Sequence, residues 1–147
     1  SDKARSEDVL EHAVNNLPVF EWILLLQPTS PFRTSEDIDL AFRLAKILNC
    51  NSCVGVTQLQ SGTDRNTQNL FKGDVFNENA QKHDFADRMC EIKFVLNGAL
   101  YLIKTSHFLH TKKLVTTDTI GIEMSAKKSV DIDTIEDFDF ALKLMEG

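Results

Sequence analysis

Two short apolar runs, Trp22-Ile23-Leu24-Leu25-Leu26 and Cys53-Val54-Gly55-Val56-Thr57, flank a stretch with helical periodicity, and this arrangement narrows the fold more than any other feature. The first fits a strand buried on both faces, as in a parallel sheet, and the second is another apolar strand. Between them, Thr34 and Asp37 are spaced as a capping box. Ile38, Ala41, Phe42, Ala45 and Leu48 then fall on one side of a helix that ends at Asn49 to Asn51. Strand, helix and strand of this length predict a right-handed βαβ unit. In open α/β sheets, ligands sit beyond the carboxyl ends of the strands. Gln27 and the Thr29-Ser30 pair occupy such a place, in a loop that Pro28 and Pro31 stiffen and leave short of N–H donors.

The remaining segments extend this α/β reading into one domain. Ser6-Glu7-Asp8 predicts a helix start, with Val9, Leu10, Ala13, Val14 and Leu17 as its apolar stripe and Pro18 as its end. Leu70-Phe71 and Val75-Phe76, separated by Lys72-Gly73-Asp74, predict a small hairpin. Phe71, Val75, Phe76 and Phe85 would be exposed on such a hairpin, so residues 66–90 suggest a dimerisation arm. In Phe94 to Ile103, Asn97-Gly98 allows either a type I′ hairpin or one bent strand whose glycine admits a close backbone approach. Ile120 to Met124 predicts a further strand. Ile135, Phe138, Leu142 and Met145 lie in register on a final helix.

Composition excludes several function classes. The formal net charge is −6 over 147 residues and no basic run stands out, which argues against nucleic acid as the partner. No apolar stretch approaches membrane-spanning length, and no secretory signal opens the chain. Three cysteines make an odd, sparse set, which fits a reducing cytoplasm. Cys50 and Cys53 are spaced CxxC, but neither a thioredoxin-like context nor a second ligand pair accompanies them. His107 and His110 lie three apart without an acid or third histidine to complete a metal set. The six glycines are scattered and form no phosphate-binding loop.

The stretch Ser129-Val130-Asp131-Ile132-Asp133-Thr134 is the strongest candidate for chemistry. Val130 and Ile132 alternate with Asp131 and Asp133, a strand pattern that would project both carboxylates from one face, about 6–7 Å apart. Thr134 with Asp137 predicts a helix cap directly behind them. Two such carboxylates repel each other, and a hard divalent cation such as magnesium would relieve that repulsion.

Three patches taken together carry a resemblance. Leu25-Leu26-Gln27-Pro28-Thr29-Ser30-Pro31-Phe32-Arg33-Thr34, then Asn97-Gly98-Ala99-Leu100-Tyr101, then Ser129 to Thr134 closely resemble, in order and spacing, the acylneuraminate cytidylyltransferases of the bacterial type. The resemblance runs the length of the chain. It implies a Rossmann-like fold of the nucleotide-diphospho-sugar transferase type, truncated at its amino end and bearing a small β arm. It further implies transfer of CMP from CTP to a nonulosonic acid with release of pyrophosphate, in a cytoplasmic homodimer. Asp131 and Asp133 match the family's magnesium-binding acids. Gln27 matches a sugar contact, Ser6 a serine near the nucleotide, and Asn97 the asparagine of the substrate-pocket strand. Tyr101 is a candidate for packing against a substrate ring.

The chain also departs from that pattern. The family opens with a strand and a loop bearing Gly, Arg, Ser and Lys, and nothing in these residues stands in for it. Val95 and Leu96 occupy the neighbourhood of an expected arginine, and Arg88 is a displaced candidate for a second. Residues 1–147 are therefore expected to be a carboxyl-terminal portion of one cytidylyltransferase domain, inactive alone. Two alternatives are a non-catalytic dimerisation module of the same family and a haloacid-dehalogenase phosphatase, whose DxDx[TV] motif Asp131 to Ile135 approaches.

Overall fold

The computed structural model describes residues 2–18, 20–59, 70–84 and 92–146, with side chains from Ser6 onward. The elements in order are α1 (Asp2–Asn16), β1 (Trp22–Leu25), α2 (Ser35–Leu48), β2 (Ser52–Gln58), β3 (Leu70–Phe71), β4 (Val75–Phe76), β5 (Phe94–Lys104), α3 (Thr105–Thr111), β6 (Ile120–Glu123) and α4 (Ile135–Glu146). The architecture is a mixed α/β sheet of six strands with helices, consistent with the expected Rossmann-like class.

The spine of the sheet is β5, with β1, β2 and β3 all paired antiparallel to it. Beyond β2 the sheet continues with β6 and then β4, each parallel to its neighbour. Strands β1, β2, β6 and β4 thus run one way and β5 runs against them. The β1-α2-β2 unit is present, but its crossover skips a strand because β5 lies between β1 and β2. This corrects the expectation for Trp22 to Leu26. The run is a half-buried strand, paired with β5 alone among the described residues, rather than one enclosed in parallel neighbours.

Alternating side chains divide the core between the two faces of the sheet. Cys53, Leu100, Leu102, Ile120 and Ile122 pack under Leu40, Ala41, Leu44 and Ala45 of α2. Val54, Val56, Tyr101 and Ile103 face Leu10 of α1, Phe108 of α3 and Leu114. Cys53/Val54 and Leu100/Tyr101/Leu102/Ile103 therefore alternate between the two clusters, as period-2 geometry requires.

Three local expectations are corrected, and the choice left open at Asn97-Gly98 is decided. Leu70-Phe71 and Val75-Phe76 are strands, but they do not pair with each other: β3 joins β5 and β4 joins β6. The Asp74 carbonyl accepts the Gly121 N–H at 2.7 Å, and this places Val75 and Phe76 in the core. The exposure that suggested an arm therefore does not hold for those two residues. Residues 66–69 and 85–90, with Phe85 and Arg88, lie outside the described residues. Asn97-Gly98 is not a hairpin turn, because β5 runs straight through it as the bent strand. Helix α1 begins at Asp2 rather than near Ser6; it buries Leu10 and leaves Val9 exposed, and Leu17 is exposed just past its end. Asp131 to Asp133 adopt no strand; this segment follows a turn and is held by a single ladder-like bond from the Ile132 N–H to the Thr29 carbonyl (2.8 Å).

Both capping boxes read from the sequence are present. The Thr34 N–H and hydroxyl donate to Asp37 Oδ2 at 2.9 and 3.0 Å, and Asn49 closes α2 in the left-handed region (φ 50°). Leu48, in the last turn of α2, is left partly exposed. At α4 the Thr134 N–H donates to Asp137 Oδ2 and the Asp137 N–H to Thr134 Oγ1, each at 3.1 Å. The expected stripe of α4, however, is uncovered: Ile135, Phe138, Leu142 and Met145 are exposed and Ala141 is its one buried residue.

Candidate functional site

The three motif segments meet beyond the carboxyl ends of β1 and β6, against an irregularity in β5. In a regular antiparallel register Val54 opposite Tyr101 would place Val56 opposite Ala99, but Val56 faces Leu96. Asn97, Gly98 and Ala99 are the three extra residues, and Gly98 takes a φ of +72° that suits glycine. A Cβ on Gly98 would lie 3.0 Å from Gln27 Oε1, so the glycine lets the Gln27 amide rest on the backbone. Among the described residues that amide makes no hydrogen bond, which leaves its donor and acceptor available.

Arg33 ties the first two segments together. Its Nη1 donates to the Gln27 carbonyl at 3.0 Å and to the Ala99 carbonyl at 2.8 Å. Sequence reasoning placed Arg33 in the motif without a role. A half-buried cation whose partner lies 66 positions away is not visible as a local pattern.

Asn97 ties the bulge to the acidic segment. Its Oδ1 accepts the Ala99 N–H (3.0 Å), while its Nδ2 donates to Ser129 Oγ (3.1 Å) and contacts Met124 Sδ (3.3 Å). The side chain fits because Gly55 of β2 has none: a Cβ there would stand 2.5 Å from Asn97 Oδ1. Ser129 Oγ in turn donates to the Ser125 carbonyl. Lys128 pairs with the half-capping Asp37 at 2.9 Å, and Lys127 lies over the Phe32 ring at 5.4 Å. With the Ile132–Thr29 bond, these contacts fasten the acidic segment to the loop after β1.

The two acids have different surroundings. Asp131 Oδ1 is buried with no hydrogen-bond partner, as is Ser30 Oγ in the facing loop. An orphaned buried carboxylate oxygen is costly unless a cation or donor arrives to meet it. Asp133 is exposed, and its N–H donates to Asp137 Oδ2 at 3.1 Å. Among the described residues no three His, Cys, Asp or Glu side chains converge on a metal position. A cation at Asp131 and Asp133 would thus draw other oxygen ligands from substrate and water, as magnesium commonly does.

Tyr101 sits in the core beside Val54 and Leu25, and its hydroxyl is pushed to higher pKa by burial, then by the carboxylates of Glu7 and Asp131. Glu7, which the sequence reading used only as a helix-start acid, accepts the Leu114 N–H at 3.2 Å. Ser6 precedes it on α1, half-buried. His107 is held by Thr116 and Asp118 away from these segments.

No family model matches the chain. An N-acylneuraminate cytidylyltransferase of Escherichia coli O18:K1:H7 is 30% identical over 99% of the chain and 35% of its own length. A CMP-N,N'-diacetyllegionaminic acid synthase of Legionella pneumophila is 31% identical over 86% of the chain and 55% of its own length. The chain resembles the acylneuraminate cytidylyltransferases over nearly its whole length. A Streptococcus agalactiae N-acylneuraminate cytidylyltransferase is 24% identical over 94% of the chain and 33% of its own length. The chain thus spans between about a third and just over half of the length of these relatives. No helix among the described residues is long and apolar enough to cross a membrane.

Proposed function

We propose that the chain serves transfer of CMP from CTP to the anomeric hydroxyl of a nonulosonic acid, with pyrophosphate as the leaving group, in the cytoplasm. The hydroxyl oxygen bonds to the α-phosphorus as the bond to the β-phosphate oxygen breaks. The observation that carries this reading is the buried, unpartnered Asp131 Oδ1, one residue from the Ile132–Thr29 bond that seats it beside the Gln27 loop. Asp131 and Asp133 would hold magnesium, which when bound offsets phosphate charge and stabilises departing pyrophosphate. Gln27 orients the hydroxylated sugar with a neutral amide and adds no charge beside the phosphates. Asn97 holds the bulge and Ser129 in register, which sets where the sugar and the acids stand relative to each other. Tyr101, buried in the core, is assigned to the substrate side through its proximity to Asp131. Ser6 is assigned to the nucleotide side on α1.

Titration of the protein with N-acetylneuraminate, with and without CTP and magnesium, tests this by amide NMR. The Gln27 side-chain amide is expected to shift and Gln27→Ala to abolish saturable binding; titration that leaves Gln27 unmoved contradicts the assignment. The 147-residue polypeptide holds no Gly-rich loop bearing Lys or Arg, so no pyrophosphate release above an Asp131→Ala/Asp133→Ala control is expected from it alone. Turnover above that control overturns this expectation.

A second reading, a dimerisation module without catalysis, is favoured by the uncovered Ile135, Phe138 and Met145 of α4. Sedimentation as a dimer together with no ligand-induced shift selects it. The phosphatase reading lacks its structural context, since Asp131 does not end a strand.

A further inference from the structure

We propose that Cys50 and Cys53 are a thiol–disulfide modification site, in which Cys50 is the thiol oxidised first and Cys53 the thiol that resolves it. The two Sγ atoms lie 3.6 Å apart, so a bond of about 2.05 Å needs an approach of only about 1.6 Å. Their surroundings differ in the way such a pair requires. Cys53 is fully buried in β2, between Leu102 of β5 and Ile120 of β6, and its Sγ contacts the Ala41 carbonyl at 3.7 Å. Cys50 is half-exposed in the short connection after the left-handed Asn49, at an open cleft that also carries Lys82, Asp74 and Asp118. An oxidant in solvent reaches Cys50 and not Cys53. The buried partner is fixed by strand pairing, while the connection holding Cys50 can take up the movement.

The local chemistry agrees. The Cys53 thiol donates toward Cys50 and favours its thiolate, against the opposing effects of partial burial and Asp118, and the Cys50 pKa is brought down to about 7. Cys53 is pushed upward by the same contact and by burial, so it stays protonated until it reacts. The oxidant is a hydroperoxide. Cys50 thiolate attacks the distal peroxide oxygen, the O–O bond breaks, and the alkoxide leaves as alcohol with a solvent proton. Cys53 sulfur then attacks the Cys50 sulfenic sulfur. The S–S bond forms, the S–O bond breaks, and hydroxide leaves as water with the Cys53 proton. Two thiols lose two electrons and one peroxide gains them. A dithiol reductant reverses the bond.

The test uses the full chain exposed to hydrogen peroxide, alkylated with iodoacetamide and cleaved with trypsin. Both cysteines fall on the peptide Ile47–Arg65. The expected product is that peptide unalkylated, lighter than its reduced form by two hydrogens, and restored by dithiothreitol. Before oxidation, Cys50 should alkylate at least about tenfold faster than Cys53 at pH 7, with a midpoint near 7. Oxidation of Cys50 to sulfinic acid without the internal bond overturns the proposal, as does its cross-linking to Cys90. In a Cys53→Ser variant, dimedone should trap a Cys50 sulfenic acid. The wild-type peptide map decides the matter even if that variant does not fold.

Discussion

Gly98 sets how closely Gln27 approaches the backbone, and both its φ of +72° and its contact with Gln27 Oε1 resist any side chain. Gly98→Ala is expected to cost about 1–2 kcal/mol, read from urea unfolding, chiefly as left-handed strain. Combining it with Gln27→Ala should recover only the smaller, steric part. A loss below a few tenths of a kcal/mol would mean that the bulge relaxes. Asp131 carries the opposite expectation. Because its buried Oδ1 has no partner, Asp131→Asn should leave the unfolding midpoint unchanged or raise it when no divalent cation is present. A clear loss of stability would show that Asp131 is a structural acid. At this scale the sequence was informative where chemistry is local: Gln27, Asn97 and Asp131 were all singled out from their motifs. Arg33 and Gly55 were not, because the first acts on a carbonyl far along the chain and the second acts by having no side chain.

Among the elements, α2 is fastened at its start. Asp37 accepts from Thr34 through one oxygen and pairs with Lys128 through the other. Asp37→Ala should therefore cost about 2 kcal/mol, a cap plus a charge-assisted bond, and should loosen the turn before Asp131. Lys128→Met should cost less in urea because the cap survives. At α4 the Asp133 N–H, then the Thr134 hydroxyl, hold the Asp137 carboxyl below its ordinary value. A depressed carboxylate pKa contributes stability above the unfolded value of about 3.9, and that contribution is lost as pH falls through the folded value. The Asp133 and Thr134 amide shifts should thus titrate with a midpoint below 3.9; a midpoint at or above it would remove Asp137 from the cap. Caps were legible because they are set by residues three apart. The hairpin expected at residues 70–76 was not, because periodicity marks a strand without naming its partner.

For the molecule as a whole, the sheet direction explains why the site lies where it does. With β1, β2, β6 and β4 running one way, the loops after β1 and β6 emerge at the same edge, and the β5 bulge meets them there. The α/β class was evident from apolar runs alone. The antiparallel spine was not, since one strand's orientation depends on which edges its neighbours leave free. The most direct test of a shared metal and substrate site is paramagnetic broadening by manganese in the presence of CTP, read residue by residue in amide NMR spectra. Amides of Asp131 to Thr134, Thr29 and Ser30, and Asn97 to Ala99 are expected to broaden together, and Asp131→Asn with Asp133→Asn to abolish the effect. Broadening centred on the acidic face of α2 near Glu36 and Asp39, with Asp131 to Asp133 left sharp, would contradict a shared site.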